Sequence, residues 1–282
     1  MNIDINKAIP SFPWIIIEIN RLMDSRDATY EMMASIIEKD PAICLKVLKI
    51  VNSAFYGMSS SISNIPDAVS ILGFDAVHRI SLTISAFKTI GNVSVSSNFN
   101  EWNLWKHLFM TASISRYISM QFKISSSCDA YIAGLLHDMG KLILYSLVPS
   151  YYAKIQQISR DRGIPFYRVE EKLGKNPTHS ELGAFAAKKW NFPKRLIRAI
   201  RYHHSTDLSG EQSREDIELL ILSNTIETYK FLILNNDESW KKYLTDSVLE
   251  NMHKIIDSVR YWLPGVIEEA EKEFNLFAGV LR

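Results

Sequence analysis

GLLHDMGKLIL, residues 134 to 144, sets His137 and Asp138 side by side in a run whose other positions are those of a buried helix. Taking ionisable groups out of water costs several kcal/mol unless they are paired or bound to a cation. The pair therefore needs partners elsewhere in the chain, and the fold must be one that brings them in. Around it, apolar residues recur at spacings of three and four, as in Met32, Ile36, Ile43, Val47, Ile50 and Val51. Alternation of period two is confined to NVSVSS (92–97), so the pattern predicts an all-α fold.

Helix punctuation is frequent. Asp40 is placed to cap a helix that Pro41 opens and Gly57 stops, and Pro66 and Gly73 bracket a second, with Gly73 free to cap between two helices. Asn52 and Ser53 can satisfy backbone groups near a helix end, with Phe55 and Tyr56 packing over the junction. GNVSVSSNFNEW (91–102) is small, polar and aperiodic, which sets an internal boundary and gives segments 1–95 and 96–282. STDLSGEQSRED (205–216) reads as an exposed loop, and residues after Leu234 read only as additional helix.

Composition removes several function classes. Lys plus Arg is 32 against 31 for Asp plus Glu, so no basic field holds a phosphate backbone and no nucleic-acid partner is expected. Cys44 and Cys128 lie far apart in apolar surroundings, as expected of reduced, buried thiols. The N-terminal apolar run is too short and interrupted to span a bilayer and carries no cleavage signal, so a soluble, cytoplasmic chain with no membrane partner is expected.

The candidate partners of His137 and Asp138 are His107, His179, His203 and His204, each in a separate helix-like segment, while His78 and His253 stand apart. Imidazole and carboxylate are the usual ligands of Zn, Fe, Mn and Ni, and successive antiparallel helices can bring such side chains together. Each has a bland alternative. His107 can pack between helices, the His137–Asp138 pair can be a buried hydrogen-bonded lock, and His179 can simply follow a cap at Thr178 or Ser180. His203 and His204 can complement a helix dipole. One shared site explains all of them together.

The order H … HD … H … HH, with GLLHDMGKLIL, resembles the HD superfamily of metal-dependent phosphohydrolases. The resemblance implies that His107, His137, Asp138 and His179 are metal ligands, with His203 and His204 matching the paired histidines of the HD-GYP branch. It also places a closing aspartate in LLILSNTIETY (219–229), where this chain has Asn224, a neutral and weaker ligand. STDLSGEQ lacks the glutamate and Gly-Tyr-Pro that follow the paired histidines in cyclic di-GMP phosphodiesterases, so that activity is not implied.

The first half narrows the resemblance. EKDPAICLKVLKIVNSAFYGMSSSISNIPDAVSILGFDAVHRISLTIS (38–85) is similar to the N-terminal hallmark of the HDOD family, the HD-related output domain. HSELGAFAAKKWNFPKRLIRAIRYHH (179–204) resembles the same family, and the likeness runs over residues 12 to 225. It implies a multi-helix fold with an N-terminal bundle packed on an HD-like helical domain. The implied function is that of a non-catalytic bacterial output module, acting on signalling proteins in trans such as members of two-component or cyclic-dinucleotide pathways. A divalent metal (Fe, Mn, Zn or Ni) at a degenerate site is part of that expectation.

The alternative is an HD-type phosphohydrolase acting on a nucleotide or other phosphoester. Asp138 and Lys141 are then the candidates for catalysis, Lys141 contacting phosphate. Against it, the sequence displays no Gly-rich cradle or Arg cluster. A docking module should expose an aromatic patch, for which Trp102, Trp105 and Trp240 are candidates.

Overall fold

Asp40 accepts hydrogen bonds from Ala42 N (3.0 Å) and Ile43 N (3.1 Å), and Pro41 takes the first position of the helix they start. This helix runs Pro41–Val51 and ends well before Gly57. Asn52 ends it: its side-chain amide donates to Leu48 O (2.9 Å) and to Ile62 O (2.7 Å), while its Oδ1 accepts from Ile62 N (2.7 Å). One carboxamide thus closes the helix and pins the returning chain. Ser53 takes no such part, since its buried hydroxyl has no hydrogen-bond partner.

The computed structural model describes residues 9, 13–23, 25–91, 100–174, 176–208, 210–211 and 214–281. In chain order the helices are α1 (Trp14–Met23), α2 (Tyr30–Ile37), α3 (Pro41–Val51), α4 (Ile65–Gly91), α5 (Glu101–Phe122), α6 (Ser127–Leu136) and α7 (Gly140–Leu147). They continue as α8 (Pro149–Arg162), α9 (Phe166–Leu173), α10 (His179–Lys189), α11 (Lys194–Tyr202), α12 (Arg214–Leu234), α13 (Asp246–Asn251) and α14 (His253–Leu281), with a 3₁₀ turn at Glu238–Tyr243. No strand occurs among the described residues, and the fold is all-α as the periodicity implies. The NVSVSS segment lies outside them, as does the expected boundary between residues 95 and 96.

The chain forms two compact units, one of Ser11–Asn92 with Glu268–Arg282, the other of Met1–Pro10 with Val93–Ile267. In the first, Ile15, Ile16 and Ile19 of α1, Met33 and Ile37 of α2, Ile43 and Ile50 of α3 and Ile80 of α4 are fully buried. Gly73 breaks α4 with φ +79°, a conformation closed to most L side chains. The last part of α14 belongs to this unit because Glu273 is buried there against Arg79 (3.4 Å) and the Tyr56 hydroxyl (3.3 Å).

In the second unit α5 packs along α6, α10 packs on both α7 and α11, and α12 packs on α5 and α11. A Cβ on Gly134 would stand 2.5 Å from Ala112 Cα, so α5 and α6 meet backbone to backbone. Trp105 and Trp240 are buried here, so neither contributes to the exposed aromatic patch expected of them. Cys44 and Cys128 form no disulfide, as expected, but are half-buried rather than buried. No helix among the described residues is long and apolar enough to cross a membrane.

Candidate metal centre

α6 stops at Leu136 and α7 starts at Gly140, so His137 and Asp138 stand on the turn between two helices instead of inside one. The cause is local. The Nδ1–H of His137 donates to Gly134 O (2.7 Å), the carbonyl that an unbroken helix offers to the Asp138 amide. Tighter bonds follow, Met139 N to Leu136 O (3.1 Å) and Lys141 N to Asp138 O (2.9 Å). At Gly140 a Cβ would lie 1.8 Å from His179 O and 2.7 Å from Gly183 N, so the start of α7 rests directly on the start of α10. That approach brings Asp138 to His179.

His179 is the first residue of α10, behind a capping box formed by Thr178 and Glu181. The buried Glu170 of α9 clasps it twice, accepting from its backbone N (2.9 Å) and from its Nδ1. His203 caps the C-terminus of α11, its Nδ1–H donating to Ile200 O (2.6 Å). His107 projects from α5, with Nδ1 bound to Glu227 Oε2 of α12. Four imidazoles are therefore fixed through Nδ1 by an oxygen acceptor, the usual means of aiming the other nitrogen at a metal.

Those Nε2 atoms converge on one carboxylate. His179 and His203 approach Asp138 Oδ1 at 3.0 and 3.5 Å, and His107 and His137 approach Oδ2 at 3.4 and 3.6 Å. Within each pair the nitrogens face each other, His107 to His137 at 3.2 Å and His179 to His203 at 3.4 Å. Candidate ligand atoms of Asp138, His179, His203 and His204 lie within 4.8 Å of one another, and so do those of His107, His137 and Asp138. The structure thus gathers all six residues of the expected ligand set. Asn224 lines the same space from α12.

Protonation follows the carboxylates. Burial disfavours the imidazolium at His107, but Glu227 and Asp138 outweigh it and push the group up to about 9. At His179 burial is likewise outweighed by Glu170 and Asp138, and the shift is upward. Burial holds His137, His203 and His204 below their ordinary value. Burial also works against the Asp138 carboxylate, yet Lys141 and the surrounding imidazoles keep it well below the usual range. Asp138 Oδ1 faces the imidazole nitrogens of His179 and His203 at 3.0 and 3.5 Å, and no backbone or hydroxyl donor among the described residues reaches it. A buried carboxylate ringed by imidazole nitrogens is a donor set that fits a divalent cation.

Lys141 is engaged as well. It pairs with Asp138 Oδ2, its ammonium 5.3 Å from the Phe166 ring centroid. Glu170 and Glu227, which hold His179 and His107, are members of the cluster that the histidine pattern does not announce. Glu227 lies three residues after Asn224, on the same helix face, which is the one signal that points to it.

The cluster opens into a cavity of about 830 Å³. Asp138, His107, His203 and His204 form part of its lining, together with Lys141, Arg160, Arg168 and Lys242. A cationic cluster therefore exists. It escapes the sequence because α7, α8, α9 and the 3₁₀ turn each contribute one member.

The model of the HDOD domain matches residues 9–206. The chain belongs to the HDOD family. Its sequence is 29% identical over 228 residues to an uncharacterized protein of Treponema pallidum (strain Nichols), covering 79% of this chain but 42% of that one, so it spans less than half of that relative's length. A candidate phosphohydrolase from Shewanella amazonensis SB2B has a similar structure, with a TM-score of 0.73 and 21% identity over 99% of this chain and 96% of its own. A candidate signal transduction protein from Marinobacter aquaeolei VT8 superimposes with a TM-score of 0.76 at 19% identity, over 97% of this chain and 60% of its own. At these identities the two structures share the fold with this chain.

Proposed function

We propose that this chain is a signal-transduction module of the HDOD type that holds divalent metal at the Asp138 cluster and takes a phosphorylated ligand in the cavity over it. The observation that carries this reading is the pairing of ligand atoms. Two Nε2–Nε2 pairs each face one oxygen of Asp138, and every one of the four rings is locked through Nδ1. The two halves are unequal. Asp138 groups with three imidazoles, His179, His203 and His204, on one side and with two, His107 and His137, on the other, where Lys141 already pairs with Oδ2. Fewer ligand atoms give a weaker hold, so the Oδ1 side, which faces His179 and His203, is the tighter site.

When bound, the metal supplies a Lewis acid for a phosphoryl oxygen and lowers the pKa of a coordinated water. The chain's own residues do the rest. Glu170 and Glu227 fix the rings of His179 and His107, Lys141 balances Asp138, and the cationic lining attracts an anion. The partners that fit this reading are bacterial, cytoplasmic signalling proteins in trans, in two-component or cyclic-dinucleotide pathways. The signalling name of the Marinobacter relative supports it.

Calorimetric titration of inorganic phosphate into Mn²⁺-loaded and chelator-treated protein tests the reading. Binding to the loaded form alone is expected, and equal binding to both contradicts it. A second reading, phosphoester hydrolysis, is favoured by one observation, the open cavity over the cluster. Turnover of p-nitrophenyl phosphate that disappears in His137→Ala is its signature.

A further inference from the structure

Glu218 of α12 is buried, and no cation among the described residues pairs with it. A carboxylate in that position is costly unless hydrogen bonds answer it. Its donors are neutral and both come from α13: the Ser247 hydroxyl donates to Oε1, and the Asn251 amide donates to Oε1 at 3.0 Å and to Oε2 at 3.1 Å. Ser247 is itself only half-buried and Asn251 is exposed. Water can therefore replace them at Glu218 when α13 lifts from α12.

The segment that α13 ends is bounded by two breaks in the backbone. Asn236 before it has φ +57°, and Met252 after it leaves helical geometry at φ −115° and ψ 18°. Between them lie the 3₁₀ turn and α13. A six-residue 3₁₀ stretch has poorer hydrogen bonds than an α-helix, so this piece opens at lower cost than the helices beside it. Its end is also a wall of the site, since Lys242, Tyr243, Leu244 and Thr245 line the cavity shared with Asp138, His107 and His203. Tyr243 rests on Tyr229 of α12, ring to ring at 4.0 Å. α12 itself is tied to the cluster by Glu227, which holds His107. One helix thus carries both a support of the cluster and the acceptor that fastens the movable piece, and that piece lies wholly beyond residue 206, where the family match stops.

We infer that residues 237–251 form a gate at the cavity into which the Asp138 cluster opens, latched by Glu218 through Ser247 and Asn251, and that its opening sets how fast an ion reaches or leaves the cluster. The inference rests on the proposed metal site and adds the route into it. If Glu218 merely fastened α13, its loss would change stability. A gate instead changes entry and exit together and leaves affinity alone, because Glu218, Ser247 and Asn251 neither line the cavity nor belong to the ligand set.

Transfer of Zn²⁺ from the loaded full chain to a chromogenic chelator gives the exit rate, and uptake by the metal-free chain gives the entry rate. In Ser247→Ala, Asn251→Ala both rates rise about tenfold or more, as expected when hydrogen bonds to a charged acceptor are lost, and the dissociation constant stays within about twofold of wild type. Glu218→Gln, which keeps the volume and removes the charge, gives the same pattern, and amide hydrogen exchange over 237–251 quickens in both. Unchanged metal rates, with or without quicker amide exchange, or faster release alone with weakened affinity, overturn the gate while leaving the metal site standing. A full chain that takes up no Zn²⁺ overturns the proposed function and this inference with it.

Discussion

Gly140→Ala tests the junction on which the site is built. The added Cβ would stand 1.8 Å from His179 O and 2.7 Å from both His179 C and Gly183 N, all of them backbone atoms. An ordinary carbon–oxygen contact is about 3.3 Å, so α7 and α10 must part by roughly 1.5 Å at this point. No flexible side chain can yield instead. Overpacking of this kind costs typically 1–3 kcal/mol, and a clash confined to backbone belongs at the upper end, about 3 kcal/mol. The same displacement separates Asp138 from His179, and metal–ligand distances tolerate only about 0.2 Å. Gly265→Ala is the control, because its Cβ meets nothing within 4 Å on the exposed side of α14. There alanine should raise stability by about 0.5–1 kcal/mol. Urea denaturation of the metal-free proteins gives the first quantity and elemental analysis the second. Wild-type stability together with wild-type metal content in Gly140→Ala would refute the reasoning.

Further outcomes follow from single residues. Glu170→Ala and Glu227→Ala each free a ring that a carboxylate now holds through Nδ1, and a fall in metal affinity of about 10- to 100-fold is expected in competition with a chromogenic chelator. An unchanged affinity would mean that the rings are held by packing alone. His78 is buried beside Asn20 Oδ1 (2.7 Å), and burial lowers it from 6.5 to about 4. The unfolded chain takes up that proton first. The stability tied to its neutral form is therefore complete above pH 6.5 and is lost as pH falls through 4, a total of about 3 kcal/mol. Denaturation at pH 7 and pH 5 in wild type and His78→Gln checks this, the variant being the flatter of the two. Glu273→Ala removes one buried partner of the Arg79 guanidinium and the acceptor of Tyr56, for a loss of about 3 kcal/mol in the same assay. A loss under about 1 kcal/mol would show that the Glu273 contacts do not hold this part of the fold.

Local chemistry was legible where it acts over a few residues. Asp40 caps and Pro41 opens α3, Asn52 satisfies backbone at its end, and Thr178 caps α10 as expected of them. Gly57 misleads because Asn52 ends the helix earlier by reaching across to Ile62, a contact ten residues away. His137 and Asp138 read as helix because their neighbours are apolar at helical spacing, whereas the imidazole itself takes the carbonyl that would continue the helix. The clustered histidines were visible because histidine is scarce in buried runs. Glu170 and Glu227 were not, because acidic residues on amphipathic helices are ordinary and only the tertiary fold turns these two inward. The cationic lining was hidden for a related reason, one cation coming from each of four elements.

The central claim is that six side chains form a metal centre, and metal content tests it most directly. The full chain, purified without added metal or a nickel column, is compared by elemental analysis with His137→Ala, Asp138→Ala and with His253→Ala, whose histidine is exposed and remote in function from the cluster. The account predicts close to one equivalent or more of a divalent transition metal in the wild type and in His253→Ala, and its loss in the double variant. A wild type folded without metal, or a double variant that retains it, would contradict the account.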